Sequence, residues 1–526
     1  MNYKVLITTS GLGQRLGNIT QYTNKSLARV GKKPAISHII EAYSYNVPLV
    51  ITVGHFGNHI KDFIRLVYPK RKIEFVEIDN YCGAGSSLGY SMLQAKDNLQ
   101  CPFIYHACDT IVSDSIPSPE YNWVGGCAGS DTSQYASLKV LNDKIVSFAP
   151  KGAEDFDYLH IGLVGIKDYE KFWASLSGLH RQDPENDALG DFSALVKMLG
   201  DGAQMQFAHF PSWLDIGNMS ALKKTRESIG GHFDNLDKVD ESIYLFDDFV
   251  VKFFHDKEIV RNRVARAEIL KGLVPEVDGH ADNFYRYKYA VGELYSEAVN
   301  PKDFSNFLYW AQKNIWRETQ EVEDGEFKKI CLSFYRNKTI NRVKKFLTDT
   351  SVVDKADTIN GESVPALGEI ISAIDFDWLA DARQCHFHGD FILDNILKTE
   401  NGYCLLDWRQ DFGGLIKAGD MYYDLAKLNH NLTVNHGIVH KNLFTVDVGP
   451  DDIKCDIMRK DNLVACQSAL FDFARKQGYD ADKIKILTAI IWLNMSPLHH
   501  HPFNLFLYYF GKLNLWRAIK SANLPV

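Results

Sequence analysis

Along the first hundred residues, short β-branched apolar runs alternate with longer stretches whose apolar positions recur every three or four residues. KVLIT, LVITV, IEFVEI and FIYHAC read as strands, and PAISHIIEAYSY, HIKDFIRLVY and SLGYSMLQA between them read as helices. Strands apolar on both faces, alternating with helices, predict an α/β domain with a mixed, mostly parallel sheet covered on each side. The pattern runs on through YASLKV, IVSFAP and SWLDIG to a closing helix, MSALKKTRES, ended by Gly230 and Gly231. After the glycine pair the chain turns β-rich, ESIYLFDDFVVKFF, and then mostly helical to its end. The expected division is an α/β domain over residues 1–230 and an α+β domain over 231–526, each within the usual size range.

Composition narrows the class. At 526 residues, 45% hydrophobic and 24% charged, the chain has the make-up of a soluble globular protein, and its net charge of −8 supplies no basic footprint for nucleic acid. Nine cysteines without a CxxC pair read as reduced core thiols of a cytoplasmic protein. The opening VLITTS is too short for a signal peptide. ILTAIIWLNM is about half of the roughly 20 residues needed to span a bilayer, so it reads as a buried helix and no membrane insertion is expected. A homo-oligomer is compatible with all of this.

Chemistry first appears in TTSGLGQRLGNITQYTNKSL. A dinucleotide-binding turn would want an acidic residue at the end of the second strand, and LVITVGHFGNH has none there. Arg15 and Lys25 instead stand close behind Gly11 and Gly13, and cations beside free backbone N–H groups suit a triphosphate. These residues resemble the sugar-phosphate nucleotidyltransferase family over most of 1–230, with Asn24 standing where that family usually has proline, a change that loosens the loop. CGAGSSLGYSM, containing Gly85, resembles the segment that reads the base; HACDT ends in Asp109, and WLDIGN supplies Asp215. The resemblance implies a Rossmann-like domain in which Asp109 and Asp215 hold Mg²⁺, Arg15 steadies pyrophosphate, and Lys25 bridges phosphates of the two substrates.

The second half carries CHFHGDFILDNIL followed by GYCLLDWRQDF, in which His388, Asp390 and Asn395 are spaced H-x-D-x4-N ahead of Asp407. Phosphoryl transfer needs a carboxylate for the attacking hydroxyl and oxygen ligands for Mg²⁺ on ATP. The stretch resembles the aminoglycoside phosphotransferase and choline kinase family, relatives of protein kinases, over roughly residues 240–510. The resemblance implies a bilobal kinase-like domain with Asp390 as base, Asn395 and Asp407 as metal ligands, and Lys252 of FVVKFF on the ATP phosphates, aimed by Glu268 of RNRVARAEIL. YRYKYAVGELYS resembles the hinge between lobes, and Asp420 and Asp424 in AGDMYYDLAKL are expected to be structural. DNLDKVDESIYLF, ahead of Lys252, has no glycine-rich lid. LHHHPF lacks metal-ligand spacing, and Trp310 and Trp316 are expected to pack helices rather than cage a quaternary ammonium.

A kinase makes a phosphate monoester, and a nucleotidyltransferase consumes one. The expectation is a bifunctional enzyme that phosphorylates a sugar with ATP. It then couples the sugar phosphate to a nucleotide from CTP, UTP or GTP, releasing pyrophosphate and giving an NDP-sugar for a surface glycan such as capsule or lipopolysaccharide. An amino-alcohol route, choline kinase with a CTP:phosphocholine-type cytidylyltransferase, is the alternative. A binding protein with one dead half conflicts with the intact aspartates.

Overall fold

The computed structural model describes residues 3–129, 131–230 and 238–522; Gly231 and residues 234–237 of DNLDKVDESIYLF lie outside the described residues. The chain folds as two compact units, Met1–Val260 with Asp278–Tyr287, and Arg261–Val277 with Lys288–Val526.

In the first unit, nine strands share a sheet: β1 (Lys4–Thr8), β2 (Leu49–Val53), β3 (Ile73–Glu77), β4 (Phe103–Ala107), β5 (Trp123–Cys127), β6 (Ser137–Leu141), β7 (Lys144–Ala149), β8 (Tyr158–Ile166) and β9 (Gln206–His209). They lie in the order β3-β2-β1-β4-β8-β5-β9-β7-β6. The first four are parallel, with Ile7 opposite both Ile51 and His106, as the alternation predicts. From β8 outward the pairings are antiparallel, β5–β9 excepted, so the sheet is mixed without being mostly parallel. The reason is local. Asn142 and Asp143, both at positive φ (49° and 58°), join β6 to β7, and such a two-residue turn returns the chain antiparallel, whereas a parallel neighbour needs a long crossover.

Helices cover both faces. Ile36 of α1 (Ala35–Glu41) and Phe63 of α2 (Gly57–Val67) fill one core; α3 (Leu88–Gln94), α4 (Tyr169–Gln182) and α5 (Asp191–Gly200) fill the other with Met92, Phe172 and Leu195. α6 (Met219–Ile229) ends at Gly230, whose φ of 74° suits glycine. The β-rich segment after it, β10 (Glu241–Leu245) and β11 (Phe249–Phe254), also belongs to this unit. Tyr244 donates its hydroxyl to the Leu27 carbonyl at 2.8 Å and sets its ring edge-on to Phe63, with Phe253 and Phe284 in the same core. Aromatic burial therefore draws the compact units at other points than the composition change near 230.

The second unit is mostly helical, as expected. It contains α7 (Lys257–Ile269) from Arg261 onward, α8 (Pro301–Asn314), α9 (Asp324–Leu332), α10 (Lys338–Thr350), α11 (Met421–Thr433), α12 (Asp461–Lys476), α13 (Ala481–Met495) and α14 (Phe503–Ser521). ILTAIIWLNM lies within α13, which is buried from Ile486 to Asn494 and packs against α11 and α14. A helix buried nearly all round needs no polar face. Among the described residues no helix is long and apolar enough to cross a membrane. Five cysteines are buried and three half-buried, but Cys82 is exposed, so not every thiol is a core residue.

Candidate functional site

In the first unit the glycine loop leaves β1 and folds over the short helix Lys25–Leu27. Gly13 has φ 68°, and a Cβ there would come within 2.8 Å of Lys25 Cβ. Asn24 caps the helix: its Oδ1 accepts from Ser26 N and Oγ at 3.0 and 2.9 Å, while its Nδ2 donates to the carbonyls of Thr9 and His55 at 2.7 and 2.8 Å. Fully buried and so held, Asn24 ties the loop down instead of loosening it. Lys25 is thereby aimed at Asp109, Nζ to Oδ2 2.7 Å.

Asp109 follows β4, and the two-residue strands Thr110–Ile111 and Leu214–Asp215 pair antiparallel with Thr110 opposite Asp215. This ribbon brings together two carboxylates far apart in sequence. A Cβ at Gly217 would lie 3.0 Å from Asp215 Oδ1, 3.4 Å from Asp109 Oδ2 and 3.5 Å from Arg15 Nη2, so three charged groups converge on a residue without a side chain. Burial acts to raise the Asp109 carboxyl, but Lys25 outweighs it and holds the pKa below the ordinary value. Burial raises the Asp215 pKa against the hydrogen bond that Tyr135 donates at 2.5 Å, and the Asp109 charge adds to the rise.

Gly11, Arg15, Lys25, Asp109, Tyr135 and Asp215 line a cavity of about 450 Å³. Gly13 lines an adjoining one together with Arg15 and Lys25. Gly85 lines neither, although its neighbour Ser86 lines both; its φ of 77° turns that segment. Two carboxylates open to a polar cavity suit Mg²⁺, which takes one or two protein carboxylates and fills its shell from water and phosphates. Among the described residues no group of three or more His, Cys, Asp or Glu could hold a metal by itself.

In the second unit the HGD segment precedes the hairpin Ile396–Thr399 and Gly402–Leu405. Asp390 Oδ1 pairs with Lys427 of α11 at 2.7 Å, and Asn395 Nδ2 donates to the Asp390 carbonyl and Oδ2 at 2.9 and 3.2 Å. Burial pushes the Asp390 carboxyl upward, but the Lys427 ammonium wins and holds it at about 2. The hairpin returns the chain to Asp407, and Leu406 N donates to the Asn395 carbonyl at 2.7 Å. Asp407 has φ 56°, a region non-glycine residues seldom adopt, and pairs with Arg263 of α7 at 2.8 Å. Asn395 and Asp407 bring oxygen donors to this hairpin, a donor set that suits Mg²⁺.

Beneath this loop, Asp424 of α11 is fully buried and accepts three hydrogen bonds, from His388 N at 2.8 Å, Gly389 N at 2.7 Å and Trp316 Nε1 at 3.1 Å. Asp420 caps α11 and accepts from the Tyr335 hydroxyl at 2.6 Å. Both have the structural roles expected of them. His388 is buried, which lowers its pKa to about 4 and leaves the ring neutral, with Nε2 2.9 Å from the Leu406 carbonyl.

Lys252 is buried on β11, in register with Ile243, and belongs to the first unit; Glu268 belongs to the second, its carboxylate 70% exposed and 3.7 Å from Lys271. The β10–β11 turn, Phe246 to Asp248, contains no glycine: Phe246 is buried on Phe249 with ring centroids 4.6 Å apart, and Asp247 and Asp248 are exposed. Trp310 packs on Phe307 and Tyr403, while Trp316 donates to Asp424. His499 packs against Phe503.

Sequence reasoning missed Lys427, Arg263 and Arg409. Lys427 carried a signal, lying one helical turn beyond Asp424 on the same helix; Arg409 stands two residues after Asp407. Arg263 carried none, because its partner is 144 residues away.

Residues 334–438 match the phosphotransferase enzyme family. The N-terminal region is similar to the bifunctional protein GlmU of Methanococcus maripaludis, 24% identical over 261 residues, which are 47% of this chain and 61% of that protein. GlmU of Methanococcus vannielii is 27% identical over 154 residues, 28% of this chain and 36% of the relative. The chain thus spans less than two thirds of the curated relatives it matches. Among solved structures, the CTP:phosphocholine cytidylyltransferase LicC of Streptococcus pneumoniae gives a TM-score of 0.38 at 17% identity, covering 44% of this chain and all of that one. A putative glucose-1-phosphate thymidylyltransferase of Bacillus anthracis gives 0.37 at 19%, covering 43% and 94%. The chain therefore joins a C-terminal segment matching the phosphotransferase enzyme family to an N-terminal region similar to the bifunctional GlmU proteins.

Proposed function

We propose that this protein is a bifunctional enzyme whose 231–526 portion phosphorylates a hydroxyl of a sugar from ATP and whose 1–230 portion then transfers a nucleoside monophosphate from CTP, UTP or GTP to that phosphate, releasing pyrophosphate. The product is an NDP-sugar for surface glycan synthesis. The observation that carries the reading is that the motif carboxylate of each half, Asp109 and Asp390, is kept ionised by a lysine at 2.7 Å and stands beside further oxygen donors.

In the kinase half, Asp390 orients the acceptor hydroxyl. A carboxyl with a pKa of about 2 stays ionised but is a weak base, so it takes the proton late, as the oxygen–phosphorus bond forms. Asn395 and Asp407 would hold Mg²⁺ on the ATP phosphates. In the nucleotidyltransferase half, Asp109 and Asp215 would hold Mg²⁺, Arg15 meets the departing pyrophosphate, and Lys25 moves from Asp109 to the phosphates. The glycine loop, with Gly11 and Gly13, lets backbone N–H groups approach the triphosphate, and Gly85 turns the segment that meets the base. In both halves the metal, when bound, neutralises phosphate oxygens.

The test is a pyrophosphate-release screen with Mg²⁺, ATP, each of CTP, UTP and GTP, and free sugars beside choline and ethanolamine. Asp390→Asn should abolish phosphorylation and spare transfer to a supplied phosphorylated acceptor, and Asp109→Asn should do the reverse. Loss of both half-reactions in both folded variants refutes two separate sites.

A further inference from the structure

Around the Phe334 ring and the segment that carries Asp390, the second unit gathers four basic side chains, Lys338, Arg342, Arg409 and Lys427. Lys338, at the start of α10, places its ammonium 3.9 Å from the centroid of the Phe334 ring, and Arg409 places its guanidinium 5.4 Å from the same ring. Arg409 packs directly on the HGD segment: a Cβ at Gly389 would come within 2.6 Å of its Cβ. Its Nε is buried and has no hydrogen-bond partner among the described residues. Arg342 of α10 uses one nitrogen on the Asn494 carbonyl at 2.8 Å, and Lys427 is paired with Asp390. The carboxylates facing the group are Asp390, taken by Lys427, and Asp411, which also accepts from Gly414 N at 3.0 Å.

All four side chains are half-buried, and like charges packed together in such partly dehydrated surroundings are costly unless an anion joins them. The cost is visible at Lys338, whose pKa falls to about 6, through burial first and then the charges of Arg409, Arg342 and Lys427, so that its amine is largely neutral near pH 7 until an anion draws a proton onto it. A structural role would be met more cheaply by neutral side chains on Phe334. We infer that the phosphoryl acceptor of the Asp390 site carries an anionic group, a carboxylate or a phosphate, which Arg409 and Lys338 bind while Asp390 holds its hydroxyl. This rests on the kinase reading of that site. It makes a neutral sugar a poor acceptor and an amino alcohol, a cation, a worse one. Arg409 and Lys338 are specificity residues in this account.

The competing source of the same anion is the transferring phosphate of ATP, and the experiment separates the two. Binding of glycerate, glucuronate and glucose 6-phosphate to the full chain is measured by calorimetry without nucleotide, beside glucose and choline, and phosphorylation of the same panel is followed with ATP. The acids are expected to bind and to be the preferred acceptors. Arg409→Met and Lys338→Met should raise KM for the acid roughly 10- to 100-fold, the value of one or two charge-assisted hydrogen bonds, with KM for ATP unchanged. Near-UV circular dichroism and the pyrophosphate-release half-reaction check that the variants fold, and Lys338→Arg should restore most of the binding. Binding of acids that depends on Arg409, with no phosphorylation of anything, keeps the anion site and removes the kinase reading. Preference for glucose or choline keeps the kinase reading and overturns the inference, as does a rise in KM for ATP without one for the acid.

Discussion

Replacing Asp424 by asparagine tests whether the loop carrying Asp390 is held from below. One carboxylate oxygen of Asp424 serves Gly389 N at 2.7 Å, and the other serves His388 N at 2.8 Å and Trp316 Nε1 at 3.1 Å. An amide has a single acceptor oxygen, so in either orientation a buried N–H faces an NH₂ donor. The variant keeps at most two of the three bonds and loses their charge-assisted character. At about 1.5–3 kcal/mol for a hydrogen bond to a charged group and about 1–3 for an unsatisfied buried donor, the second unit should lose roughly 2–4 kcal/mol. Volume hardly changes, so packing contributes little. If the loop settles even 1 Å away, phosphorylation should fall on the order of 100-fold, while transfer to a supplied phosphorylated acceptor continues. Urea unfolding followed by tryptophan fluorescence, together with separate ADP-release and pyrophosphate-release assays, reads both effects. A variant within about 0.5 kcal/mol of the parent with full kinase turnover would refute the bracing argument.

Lys427→Met removes the charge that holds Asp390 at about 2, leaving burial to push its pKa up beyond the ordinary 3.8. The acidic limb of the kinase pH–rate profile should move up to and past that value; an unmoved limb would show that Lys427 does not set the Asp390 charge. The sign for stability follows: a depressed carboxyl stabilises above its unfolded pKa and loses that share as pH falls through the folded one, so the parent's loss between 3.8 and about 2 should be absent in the variant. Asn24→Ala empties a fully buried position and strands the N–H of Ser26 and the carbonyls of Thr9 and His55. About 2–4 kcal/mol of local stability should go, with nucleotidyl transfer lost first, and hydrogen exchange across residues 9–27 should rise; unchanged exchange there would contradict the anchoring role.

Much of the architecture was determined along the chain itself. β1 to β4 are parallel because each apolar run is followed by an amphipathic helix long enough to cross back, and α6 stops at Gly230 because that position needs positive φ. The same holds for the chemistry that sits on local segments: H-x-D-x4-N brings Asp390 and Asn395 together because only four residues of one loop separate them. Pairings across distance were decided only by tertiary structure. The ribbon Thr110–Ile111 with Leu214–Asp215 joins Asp109 to Asp215, α11 delivers Lys427 to Asp390 and Asp424 to the backbone beneath it, and α10 carries Lys338 to the ring that Arg409 shares. The grouping of β10 and β11 with the first unit was likewise decided by Tyr244, Phe253 and Phe284 finding Phe63. Local backbone preference acts over a few residues and can be read from order alone. Charge pairing and aromatic burial act through space, and only the folded chain says which partners come within 3 or 6 Å.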